Sequence, residues 1–136
     1  MGLYSGTVDE QYVPYIMPQE NGNKTDVRWL ALGNGEGVGL LAAGLEPLEF
    51  SAGHYTAADL FAARHTHELR RREEVMLNLD LLQRGLGGAS CGPPPLASYV
   101  IEPVSYAFAV RLRPFTDGMD PAELAREVLP IVVKKA

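Results

Sequence analysis

The sequence predicts a mainly β fold, a β-sandwich with one short helix and a C-terminal helical tail. Three observations predict it. Val27 to Leu32 and Val38 to Ala43 are short apolar runs separated by Gly33-Asn34-Gly35-Glu36-Gly37, the pattern of a hairpin with a longer than minimal turn. Tyr106, Phe108, Val110 and Leu112 alternate with Ala107, Ala109 and Arg111, the period of a strand with one apolar face. Pro14, Pro18, the Asn21-Gly22 pair and the polar Asn23 to Asp26 run cannot be the middle of a helix or a central strand.

In chain order, Met1 to Tyr12 is polar, with at most a short extended piece at Thr7 to Glu10. Val13 to Asp26 contains Pro14, Pro18 and the turn pair Asn21-Gly22, so it reads as an extended, shaped loop. The loop leads into the strand that carries the single tryptophan, Trp29. The hairpin follows. Gly44 to Pro47 breaks the strand pattern, and Leu48 to Ser51 reads as a third short strand. Thr56 with Asp59 three residues on is an approximate capping box, so a short helix begins there, with Leu60 and Phe61 as its buried pair.

Val75, Leu77, Leu79 and Leu81 fall on one face of a strand. Gln83 to Pro95 is loop. The Tyr106 to Leu112 strand ends at Pro114. Asp120-Pro121-Ala122-Glu123 then starts a helix, with a cap, a proline at the first position and an acid in the first turn.

A chain of 136 residues suits one domain. A net charge of −5 without a basic stripe predicts no nucleic-acid partner. Arg70-Arg71-Arg72, followed by Glu73-Glu74, reads as a solvated strand edge of mixed charge. No apolar run approaches the ~20 residues that span a bilayer, so no membrane partner is expected. One cysteine, Cys91, excludes an internal disulfide and fits a reducing compartment. The N-terminus lacks the charge and apolar core of a signal peptide, and a cytoplasmic location is the expectation.

Chemistry-bearing residues are sparse. His65 and His67 are two apart, a spacing that does not share a helix face, and His54 precedes the helix; no metal is expected. The alternative is that these histidines end the helix and bond to backbone. Glu20, Glu46, Glu49, Asp80 and Glu102 are the acids from which a glycosidase pair ~5 Å apart would be drawn. Spacing alone brings no two together. Gly85-Leu86-Gly87-Gly88 lacks the following helix of a nucleotide loop. Cys91 lacks the basic surroundings of a nucleophile. Trp29 and Tyr15 offer faces for stacking on a sugar ring, against the simpler role of core packing.

Several motifs, in one order, resemble the final segment of the large β-galactosidases, glycoside hydrolase family two. They are Tyr12 to Trp29, Leu48-Glu49-Phe50-Ser51 with Tyr55, Thr56 to His67, Leu77-Asn78-Leu79-Asp80, and Gly85 to Gly88 with Ser90-Cys91-Gly92-Pro93. The resemblance covers about Leu3 to Arg113, which leaves residues 114–136 as an appended tail carrying a short helix beyond a 1–113 segment.

It implies part of a two-sheet super-sandwich similar to galactose mutarotase domains. It also implies an enzyme that hydrolyses terminal β-D-galactosides such as lactose, with its catalytic glutamates in an upstream barrel. No catalytic residue is then expected in this chain, and the isolated chain is expected to be inactive. Magnesium and sodium are implied for the whole enzyme, with no cofactor in this chain.

The implied partners are the rest of the β-galactosidase chain or subunit, β-galactoside substrate through it, and a homo-oligomer. A substrate-facing loop is implied at Gly44, Leu45 and Glu46, where the family places an aromatic side chain that this chain lacks. The alternative to this reading is a non-catalytic carbohydrate-binding or structural, assembly-type β-sandwich module.

Overall fold

A computed structural model describes residues 2–84, 89 and 91–128. The fold is mainly β, sandwich-like in its strand pairing and short helices, as the sequence predicts. Its elements are β1 (Lys24–Gly33), β2 (Val38–Gly53), α1 (Ala57–Ala62), β3 (Met76–Asp80), β4 (Val110–Thr116) and α2 (Pro121–Arg126). Strands β1, β3 and β4 all pair with β2. The chain divides into two compact units, Met1–Val27 with Leu48–Ser105, and Arg28–Pro47 with Tyr106–Ala136.

In the first unit, β2 pairs antiparallel with β3 from Glu49↔Asp80 to Gly53↔Met76. Helix α1 starts where the sequence says it should. The Thr56 hydroxyl accepts from the Asp59 N–H at 3.1 Å, and the Asp59 carboxylate accepts from the Thr56 N–H at 2.9 Å. Leu48, Leu60 and Ala63 are buried. Phe61 is not. At 91 % exposure it points to solvent, because one residue along a helix is a 100° turn away from Leu60. The inward positions are Leu60 and Ala63, three apart.

The Val13 to Asn23 stretch is an irregular loop, closed by the Val13 N–H donating to Asn21 Oδ1 at 2.8 Å. Gly22 is needed there. Its φ is 75°, and a Cβ would lie 2.7 Å from the Gln11 carbonyl oxygen.

In the second unit, β2 pairs antiparallel with β4 from Val38↔Thr116 to Gly44↔Val110. Partners across a ladder share a face. Gly39, Leu41 and Ala43 therefore face the same way as Phe115, Arg113 and Arg111. Leu41 is fully buried on this side, worth about 1.5–3 kcal/mol of apolar burial. Helix α2 is tied to it. Arg111 donates to the carbonyls of Leu124 at 2.7 Å and Ala125 at 3.1 Å, satisfying the helix C-terminus with a cation. Asp120 caps the other end by accepting from the Ala122 N–H at 2.8 Å. The opposite face carries Val38, Leu40 and Leu112, which are 52 %, 37 % and 57 % exposed, and Ala42, the partner of Leu112, which is buried.

Several strand boundaries differ from the sequence expectation. β1 begins at Lys24 rather than Val27, so Lys24 to Asp26 belongs to the strand and not to the loop. Gly44 to Pro47 does not break the strand, because β2 has β1 as a further neighbour and stays extended through it. Pro114 does not end β4. It pairs opposite Leu40, and β4 has β2 as its partner among the described strands, so the missing N–H costs no ladder bond on the far side. Residues 106–109 lie outside β4, although Leu45 donates to the Ala109 carbonyl at 3.1 Å. Continuing that register sets Ala107 opposite Pro47, which has no N–H to donate. Gly85 to Gly88, Ser90 and the end of the tail lie outside the described residues.

Candidate functional site

The first unit holds a cleft of ≈180 Å³. Four segments build it. The Pro14–Pro18 loop supplies Glu20 and Asn21. The end of β2 supplies Ser51 to Gly53. The start of α1 supplies Tyr55, Thr56 and Leu60, and β3 supplies Met76 and Asn78. Tyr12 closes one side, its ring centroid 5.5 Å from that of Tyr55 and tilted by 56°. Burial, with Tyr55 beside it, pushes the Tyr12 phenol above its ordinary value, so it is a protonated donor at neutral pH.

The polar groups of the cleft are largely committed. Asn78 donates to Ser51 Oγ at 3.0 Å, and Asn21 and Thr56 hold the loop and the helix cap. The neighbouring His54 is buried, and both ring nitrogens are engaged. Arg71, which can only donate, lies 2.9 Å from Nε2, so Nε2 accepts and Nδ1 carries the proton given to the Glu74 carbonyl at 3.1 Å. His54 is thus held on both ring nitrogens, with Asp9 Oδ1 a further 3.8 Å from Nε2, in a structural role. Arg71 also grips Asp9 with two bonds of 3.0 Å and holds its carboxyl below the ordinary value. Arg72 grips Asp59 in the same way. Thus the Arg70–Arg72 triplet is not a strand edge: two of its three cations anchor the loop between α1 and β3. Among the described residues that line the cleft, no nucleophile and base are assembled.

The sequence-predicted candidates do not meet in this cleft. Trp29 is half-buried on β1, and Gly44, Leu45 and Glu46 lie within β2, all in the second unit. Tyr15 is 44 % exposed on the loop of the first unit. Among the candidate acids, Glu49 and Asp80 are directly opposed across β2 and β3, but Glu49 accepts from Asn23 at 2.7 Å and the cleft is lined by Glu20 instead. Sequence reasoning missed Tyr12 and Tyr55 as a pair. Both belong to the matched motifs, and that was the signal available.

The histidine reading needs one revision. His65 is extended, with φ −139° and ψ 152°, and caps a 3-10 turn over Thr66–Glu68. The pair is therefore not on an α-helix, and the helix-face objection does not apply. The rings of His65 and His67 stack, 5.4 Å apart and 16° from parallel. His65 Nδ1 is 2.9 Å from Glu68 Oε1, and the Arg64 N–H donates to Glu68 Oε2 at 2.9 Å. Cys91 is exposed. No helix among the described residues is long and apolar enough to cross a membrane.

Comparison with known proteins agrees with the resemblance. Residues 1–112 match the family described as "Beta galactosidase small chain". A beta-galactosidase of Priestia megaterium is 41% identical over 88 residues, 65% of this chain and 8% of that protein. One from Arthrobacter sp. is 33% identical over 119 residues, 83% of this chain and 12% of the relative. Beta-galactosidase BgaC of Bifidobacterium adolescentis is 35% identical over 91 residues, 65% of this chain and 9% of that protein. The chain thus spans about a tenth of the length of these relatives. With most of its length matched, it belongs to the beta-galactosidase small chain family.

Proposed function

We propose that the chain is a non-catalytic assembly module of a β-galactosidase, the part that completes its last domain beside the active site. The observation that carries this reading is the row of Val38, Leu40 and Leu112 in the second unit. These three apolar side chains are exposed beside Ala42, which is buried on the same face, while the other face of the same strands is sealed around Leu41. An apolar surface left open in this way is a surface for another part of an assembly. In a family whose whole members are about seven to eight times longer, that part is the remaining β-galactosidase chain or subunit.

The whole assembly would cleave terminal β-D-galactosides such as lactose by the two-carboxylate retaining mechanism. Its glutamates, magnesium and sodium ligands would lie outside this chain. A pure sample of the chain is expected to leave a chromogenic galactoside intact. Turnover by such a sample, scaling with its concentration and absent from a mock purification, would overturn the reading.

A second reading is supported by the cleft. Its volume is ≈180 Å³, and Tyr12 with Tyr55 gives it aromatic walls on which a sugar ring can stack. This is a carbohydrate-binding module. It requires saturable heat on titration with galactose or lactose, lost in Tyr12→Ala; a flat titration at millimolar sugar removes it.

A further inference from the structure

We propose that His65, His67 and Glu68 form a surface site for a divalent transition ion of the zinc, nickel or copper class. One nitrogen or oxygen from each residue lies within 4.8 Å of the other two, and all three side chains are exposed. His65 Nδ1 and Glu68 Oε1 are 2.9 Å apart, a few tenths of an ångström short of the ~3.3 Å between two donors of a tetrahedral ion with bonds of ~2.0–2.1 Å. His67 stacks on His65 and places the third donor within 4.8 Å of the other two.

The local backbone favours the arrangement. The Glu68 N–H bonds to the His65 carbonyl at 3.0 Å, closing the turn that gathers the three donors. The Arg64 N–H occupies Glu68 Oε2, which leaves Oε1 turned toward His65; fixing one carboxylate oxygen in this way is how an outer contact orients a ligand.

Two imidazoles and one carboxylate suit zinc, nickel and copper, and suit magnesium poorly. An ion held there keeps its remaining positions open to water. An ion here would brace the connection from α1 to β3, in which Arg71 and Arg72 hold Asp9 and Asp59.

The test is calorimetric titration of the full, chelator-treated chain with zinc chloride, repeated with nickel. The expected result is one saturable site per chain, with a rise in thermal midpoint, and no competition from equimolar magnesium. His65→Ala and His67→Ala are each expected to abolish saturation, and Glu68→Gln to weaken it. All three side chains are exposed, and circular dichroism checks that each variant folds. Unchanged zinc binding in the His65→Ala/His67→Ala variant overturns the proposal, as does its transfer to Cys91, seen as loss in Cys91→Ser alone. No saturable binding by the folded chain overturns it too.

Discussion

Arg71 and Arg72 are adjacent in a basic triplet, yet each holds a different carboxylate. Arg71 joins Asp9 to the buried His54, and Arg72 joins Asp59 at the cap of α1. Charge pattern alone could not show this, because the partner of Arg71 lies far away in sequence. The cap itself was legible. Thr56 and Asp59 stand at capping-box spacing, and both reciprocal bonds form. Thr56→Ala is expected to cost about 1 kcal/mol in urea unfolding.

Acid is expected to act through the same residues. The Arg72 contact, with the Thr56 amide, holds Asp59 well below its ordinary 3.8, and Arg71 holds Asp9 lower too. A carboxyl lowered in the folded state stabilises fully above its unfolded value and loses that contribution as pH falls toward its folded value. Stability should thus decline below about pH 4, and less steeply in Asp59→Asn. An identical slope in the variant would detach Asp59 from the acid response. The buried side of α1 was half legible: Leu60 is inward, but six residues are too few to define the stripe, and Phe61 is outward.

At the scale of elements, β2 was read as two strands because Gly44 and Pro47 interrupt its pattern. It is one strand of 16 residues that serves different partners at its two ends. Local propensity marks where a partner changes as readily as where a strand stops, and pattern cannot tell the two apart. Pro114 misled for the same reason, since a strand bonded on one side tolerates a missing donor. Gly39 has a sharper role. A Cβ there would lie 2.2 Å from the Phe115 ring and 2.7 Å from the Leu32 carbonyl oxygen, so the ring of its ladder partner fills the space of its absent side chain.

Gly39→Ala is expected to destabilise by about 1–3 kcal/mol, the usual cost of overpacking. At Gly33 and Gly53 a Cβ meets nothing within 4 Å, so alanine there should be tolerated. Equal effects at all three positions would deny Phe115 this role. The tyrosines of the cleft belong to this scale as well. Tyr12 and Tyr55 are brought together by a loop and a helix start, and no spacing rule in the sequence pairs them.

For the whole molecule, the mainly β class and the C-terminal helix start could be read from alternation and from Asp120-Pro121. The way α2 attaches could not: it depends on Arg111 reaching carbonyls beyond a turn. The open row of Val38, Leu40 and Leu112 is the feature that most directly links fold to role. Leu41→Ala, on the sealed face, is expected to cost about 2–5 kcal/mol. Leu112→Asp, on the open face, should leave the isolated chain folded and impair only its association.

The decisive measurement mixes the chain with a β-galactosidase lacking the matching C-terminal segment and follows hydrolysis of a chromogenic galactoside. The account predicts activity that neither part shows alone, and its loss with Leu112→Asp although that variant remains folded by circular dichroism. A folded chain that restores nothing, or a Leu112→Asp variant that restores as much as the unmodified chain, would contradict it.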